Sequence, residues 1–255
     1  MTLLAVERIK LFTTRSPLWC TLAAIVVTVG FSALVNGTAA DQMKPSIATT
    51  QFGINFGLMV IMVMATLAIT TEYRFGTIRA TFQAIPNRTG TLLAKTAVVA
   101  VFAGLVGEVV AFGSVAIAKL VQPSASLGID TAYEWRTVAG VGLYFALSAV
   151  VAVAVGLLIR HSAGAVSALL IYVLLVENLV SLIPTVGDDI QKWMPFNVAS
   201  KFLTGDPDPS NTYALGNGPQ PSNATLSPWW ALAYFAGFAV VMLVIALVTA
   251  NKRDA

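Results

Sequence analysis

The chain has 255 residues, of which 57% are hydrophobic and 11% charged, with a mean hydropathy of +0.79 and a formal net charge of +3. Soluble domains carry roughly 25% charged residues, so this composition excludes one and points to the lipid bilayer. The small basic excess is what a positive-inside membrane protein accumulates, and it makes no case for nucleic acid.

Residues 2–15, TLLAVERIKLFTTR, are too polar to insert, yet Ala5, Ile9 and Phe12 recur at helical spacing while Glu7, Lys10 and Thr14 fall on another side. That pattern predicts a helix over residues 1–17 lying in the membrane interface and entering the first span through Ser16-Pro17. Glu7 interrupts the stretch and no small-residue cleavage site follows the next apolar run, so a removable signal peptide is not expected.

About 20 mostly apolar residues are needed for a helix to cross the hydrocarbon. Six runs qualify: 18–35, 52–70, 92–120, 138–159, 163–183 and 229–250. None alternates as a barrel strand would, so six transmembrane helices forming a single all-α membrane domain are expected. With the N-terminus inside, Arg8, Lys10, Arg15, Arg74, Arg79, Arg88, Lys95, Arg160, Lys252 and Arg253 face the cytoplasm and only Lys44, Lys119, Arg136, Lys192 and Lys201 lie outside. Ten against five places both termini in the cytoplasm. The lone Cys20 cannot form an internal disulfide and is read as apolar filler.

Between the second and third spans lies EYRFGTIRATFQAIP, in which Phe75, Ile78, Phe82 and Ile85 share one helical stripe and Arg74, Thr77 and Thr81 face elsewhere. A short amphipathic helix over 72–86 follows, stopped by Pro86, with Asn87 capping the next helix and Arg88 and Lys95 at headgroup level. Such a helix either receives a partner on its polar side or only seals the bundle.

Further along, Tyr133-Glu134-Trp135 in the second outer loop reads as an interfacial anchor. The link Arg160-His161-Ser162 is tight enough to make spans four and five an antiparallel hairpin, with His161 a solvated turn residue. The outer segment 184–228 opens with DDIQKWMPFNVASKFL, compatible with two short helices broken at Pro195 and dipping into the outer leaflet, and continues as a Gly/Pro/Asn/Ser-rich loop.

Among the polar residues inside the spans, Asn55, Glu108, Glu177 and Asn178 are the candidates for a substrate path. Asn55 suits an interhelical hydrogen bond. Glu108, in the third span, and Glu177, in the fifth beside Asn178, are costly in lipid and must face the bundle interior or water. Two readings stand for each glutamate: contact with a cationic substrate or a proton-linked switch, or a hydrogen-bonded group holding helices together. Span two, FGINFGLMVIMVMATLAI, is Met- and Phe-rich and is expected to wall a transport path. No His, Cys, Asp and Glu cluster has metal-ligand spacing.

Glu72-x-Arg74-x-Gly76-Thr77, followed by Pro86, Arg88 and Lys95, resembles the stretch after the second span in permeases of the ABC type 2 membrane family, which includes bacterial drug, peptide-antibiotic and sodium exporters. The elbow helix, the six spans and the Pro-containing short helices before the sixth are also similar, so the likeness covers nearly the whole chain. It implies that 72–86 is a coupling helix touching an ATPase subunit, with Glu72, Arg74, Gly76, Thr77, Arg79 and Phe82 at that contact. It further implies a second permease chain, most simply a homodimer, in a bacterial inner membrane. ATP and Mg would be bound by the ATPase and no cofactor by this chain, which would not itself be an enzyme. The substrate would be apolar or amphipathic: a drug, a peptide antibiotic or a lipid-like molecule.

The residues present fit that division of labour. Gly90–Thr96 lacks the glycine that a phosphate loop places before its lysine, and it opens a membrane span. An intramembrane serine protease would need a base beside its nucleophile, but the one histidine sits at a turn. A stand-alone channel, carrier or substrate-capture subunit is the alternative; a carrier of that kind would show broken helices at matching points of two halves, and none is evident.

Overall fold

The computed structural model describes residues 2–38, 45–85, 87–125, 127–205 and 222–253, with Arg253 described by its backbone alone. Within them every regular element is helical, in the order α1 (Leu3–Thr13), α2 (Arg15–Thr38), α3 (Ile47–Thr50), α4 (Ile54–Arg74), α5 (Thr77–Ala84), α6 (Arg88–Val121) and α7 (Ala132–Ile159). There follow α8 (Ser162–Ile171), a π turn (Tyr172–Val176), α9 (Glu177–Leu179), a 3-10 turn (Val180–Leu182), α10 (Gly187–Gln191), α11 (Pro195–Thr204) and α12 (Pro228–Arg253). Six stretches are long and apolar enough to cross a bilayer: Arg15–Thr38, Ile54–Arg74, Arg88–Val121, Ala132–Ile159, Ser162–Leu182 and Pro228–Lys252. This is the architecture of a multi-pass membrane protein, and each expected span falls within one of them or overruns it by a few residues.

Helix α7 is the hub. It packs on α4, α6, α11 and α12, and its inward face supplies Val141, Phe145, Ala149, Ala152 and Leu157 to the core. The closest approach is to α6, where a Cβ on Gly107 would lie 3.0 Å from the Gly142 Cα, the Phe145 ring and the Val141 carbonyl. Two glycines therefore let the backbones touch, the device that membrane helices use when burial of apolar surface supplies no drive. By contrast α2 and the fifth span turn most of their surface outward.

Local chemistry sets several boundaries. Thr131 and Glu134 form a reciprocal cap at the start of α7, so the Tyr133-Glu134-Trp135 anchor belongs to the first turn of that helix rather than to a loop. Asn87 accepts the Gly90 N–H at 2.8 Å and begins α6 as expected. His161 accepts the Gly164 N–H at 3.1 Å and starts α8. Pro195 occupies the first turn of α11, where its missing N–H costs nothing, so the two short helices expected here are α10 before it and α11 beginning at it.

The segment 72–86 is not one helix. Span two runs on to Arg74, and Gly76 adopts φ +71, turning the chain before α5 begins at Thr77. Phe75 consequently leaves the apolar stripe and stands exposed, while Ile78 is buried and Phe82 half-buried. Pro86, expected to stop this helix, lies outside the described residues; Ile85 before it is extended.

Candidate functional site

Two concave regions lie at opposite ends of α4. The first gathers α1, the C-terminal end of α4, α5 and the N-terminal end of α6 around four charges. Lys95 Nζ is 2.6 Å from Glu7 Oε2 and 2.9 Å from Glu72 Oε1, and Lys10 Nζ is 2.8 Å from Glu7 Oε1 and 3.6 Å from Glu72 Oε1. Two cations and two anions alternate, which is what makes their burial tolerable: the Glu7 and Lys95 side chains are only 3% and 7% exposed. Lys10 also donates to Thr81 on α5 at 3.3 Å, so α1 is tied directly to the short helix. Burial alone would depress the Lys10 ammonium, but the Glu7 hydrogen bond and the Glu72 charge outweigh it and raise its pKa above the ordinary lysine value.

The two faces expected of α1 are kept apart, and the polar one turns to the bundle rather than to water. Leu4, Ile9 and Phe12 are exposed at the surface of the protein, where lipid would cover them, and Glu7 points inward. Lys95, expected among the headgroups, is enclosed. Of the residues carried over for an ATPase contact, Glu72 is committed to the ion cluster, whereas Arg74, Gly76, Thr77 and Arg79 are exposed. Phe82 anchors the other side of α5, beneath the Arg88 guanidinium at 5.6 Å from its ring centroid. Glu7 and Lys10 were missing from the expected set because only the fold brings α1 beside α4 and α6. The one sequence signal was an acidic residue on an otherwise basic, apolar leader.

The second region is a cavity of about 840 Å³ between the N-terminal half of α4, the C-terminal part of the fifth span, α7 and α11. Asn55, Glu177 and Asn178 all line it, as do Gln51, Asn197 and Tyr144, which sequence reasoning did not single out. Glu108 is elsewhere: half-exposed on α6, its side chain fills the space that a Cβ on Gly142 would occupy. Asn55 makes no interhelical hydrogen bond among the described residues and is exposed toward the cavity.

Glu177 has a definite structural partner. Its two carboxylate oxygens accept the backbone N–H groups of Phe196 at 3.0 Å and Asn197 at 2.8 Å, capping α11 from another helix. Just before it the fifth span widens into the π turn Tyr172–Val176, an irregularity commonly found at functional sites. Asn178 donates back to the Val173 and Leu174 carbonyls at 3.4 and 3.0 Å, satisfying acceptors the turn leaves open. Asn197 donates to Gln191 O and Asn223 Oδ1 at 2.7 Å each, tying α10, α11 and the segment before α12 together. In span two, Met62 and Met64 are packed into the core, so its Met-rich face is largely filler; Leu58 and Met59 reach the cavity wall.

No protein-family model matches this chain, and no curated protein matches it.

Proposed function

We propose that this chain is the membrane-spanning permease subunit of an ABC exporter, worked by ATP hydrolysis on a separate ATPase subunit. The observation that carries the reading is α5: a short helix between spans two and three, fastened to the bundle by Ile78, Phe82 and Lys10–Thr81, which presents Thr77 and Arg79 outward beside the exposed Arg74 at the end of α4. A helix that only sealed the bundle would not need an exposed cationic face held on so stiff a mount. In this reading α5 is the coupling helix, α1 the interfacial elbow, and α10–α11 the short helices that dip into the outer leaflet before the sixth span.

Both termini face the cytoplasm of a bacterial inner membrane, and two copies assemble around a path that the 840 Å³ cavity joins. The ATPase supplies ATP and Mg. The cargo is an apolar or amphipathic molecule such as a drug, peptide antibiotic or lipid-like compound, met by Leu58, Met59 and Phe196 together with the amides of Asn55 and Asn178.

Purification of the tagged full-length chain from its native membranes tests this. A subunit carrying a phosphate-binding loop should copurify and be lost on Arg74→Glu plus Arg79→Glu. Solute movement by the purified chain alone in vesicles, without ATP, would instead identify a stand-alone carrier.

A further inference from the structure

Beside the ion cluster lies a second cavity, of about 440 Å³, between α1, α4, α5 and α6. Its volume is within the usual range for small-molecule sites. Its lining divides into an apolar part, Leu11, Met64, Leu67 and Val98, and a polar part that includes Lys10, Thr14, Thr71, Glu72 and Thr77. Phe12, Leu18 and Trp19, all exposed on the adjoining helices, place that polar part at the level where a membrane helix meets its interface.

The hydrogen bonding in the polar part is asymmetric. Thr14 donates to Leu11 O at 3.1 Å, Thr71 to Leu67 O at 2.6 Å and Thr77 to Glu72 O at 3.4 Å. Each hydroxyl has spent its proton on the main chain and offers the cavity lone pairs. Glu72 adds another acceptor: its Oε1 takes both lysines, leaving Oε2 without a partner among the described residues. Of the two lysines that line the cavity, Lys95 is enclosed and engaged by Glu7 and Glu72, whereas the Lys10 side chain is 34% exposed and is the cationic donor within reach of a ligand. The four charges of the cluster sum to zero, so a ligand of net charge gains little from them.

We propose that this cavity is a binding site for a phospholipid whose headgroup carries a primary ammonium. The ammonium donates to the threonine oxygens and Glu72 Oε2, the phosphate accepts from Lys10, and the first part of an acyl chain lies along Leu11, Met64, Leu67 and Val98. A choline headgroup has no N–H to donate, and a glycerol headgroup has no cation for Glu72. The site requires only that the chain is in a membrane and is independent of what energises transport.

The delipidated full-length chain in detergent should be titrated with phosphatidylethanolamine, phosphatidylcholine and phosphatidylglycerol of identical acyl chains, with bound lipid counted by native mass spectrometry. Phosphatidylethanolamine should bind about tenfold more tightly than either other lipid, the factor expected from one charge-assisted hydrogen bond. Thr71→Val with Thr77→Val, which removes two neutral acceptors but leaves Glu72 and the ion cluster whole, should reduce that advantage. Equal binding of the three lipids by the unmodified chain, a preference for phosphatidylglycerol, or an ethanolamine preference undiminished by the double substitution would overturn the assignment. The comparison on the unmodified chain decides the matter even if the variant does not fold.

Discussion

Lys95 at the start of α6 closes to 2.6 Å on Glu7 of the leader helix, and the two are the most enclosed members of the charge cluster. Removing one partner strands a buried charge, which costs more than the pair contributes. Lys95→Met should therefore destabilise the protein by about 3–5 kcal/mol, whereas replacing both Lys95 and Glu7 by apolar residues should cost much less. Thermal unfolding of the two variants in one detergent checks the difference; equal losses would show that the pair is not coupled.

Lys10 gives the same cluster a pH dependence. Its folded pKa lies above the ordinary value of 10.5 because Glu7 and Glu72 hold the charged form against burial. A raised cation contributes stability that is complete below the unfolded pKa and disappears as pH rises through the folded one. The Lys10-dependent part of the melting temperature should thus be flat through neutral pH and decline only above about pH 10.5. Comparison with Lys10→Met across that range isolates it, since the variant should lack the alkaline decline.

At Glu177 the expected loss is that of a helix cap. Glu177→Ala leaves the Phe196 and Asn197 N–H groups without their acceptor, at a cost of about 1–2 kcal/mol. Hydrogen exchange should accelerate at those two amides while α7 stays protected. Unchanged exchange there would mean the carboxylate does not hold α11.

Gly107 and Gly76 should fail for different reasons. Gly107→Val puts side-chain atoms where α7 backbone already lies and should cost about 1–3 kcal/mol. Gly76 has open space around it, yet its φ of +71 burdens any other residue, so Gly76→Ala should cost about 1 kcal/mol and disturb the placement of α5 rather than the core. Gly30→Ala, with nothing within 4 Å, is the matched control and should be neutral or better. Melting temperatures of the three rank the effects.

What could be read in advance divides along physical lines. Span positions are set by the length of apolar chain that hydrocarbon demands, a local property, and the helices from α2 to α12 follow it. Polar residues of the site behave differently, because their partners lie far along the chain. Nothing local to Lys95 announces Glu7, and nothing local to Glu177 announces the first turn of α11. Glycine at 76 was visible as a residue, but the helical stripe through Phe75 masked the break it makes. Asn55 lines the cavity, as a path residue would, and makes no bond to a neighbouring helix among the described residues, since lateral position within a bundle is decided by packing on α7.

The wide turn at Tyr172–Val176 sets the angular phase of everything beyond it in the fifth span. Wound instead as regular α-helix with its sequence unchanged, at about 100° per residue, the same stretch would carry Glu177 to another heading about the helix axis. The carboxylate would swing away from α11 and uncouple that end of the bundle, while the hydrophobic length of the span stayed almost intact.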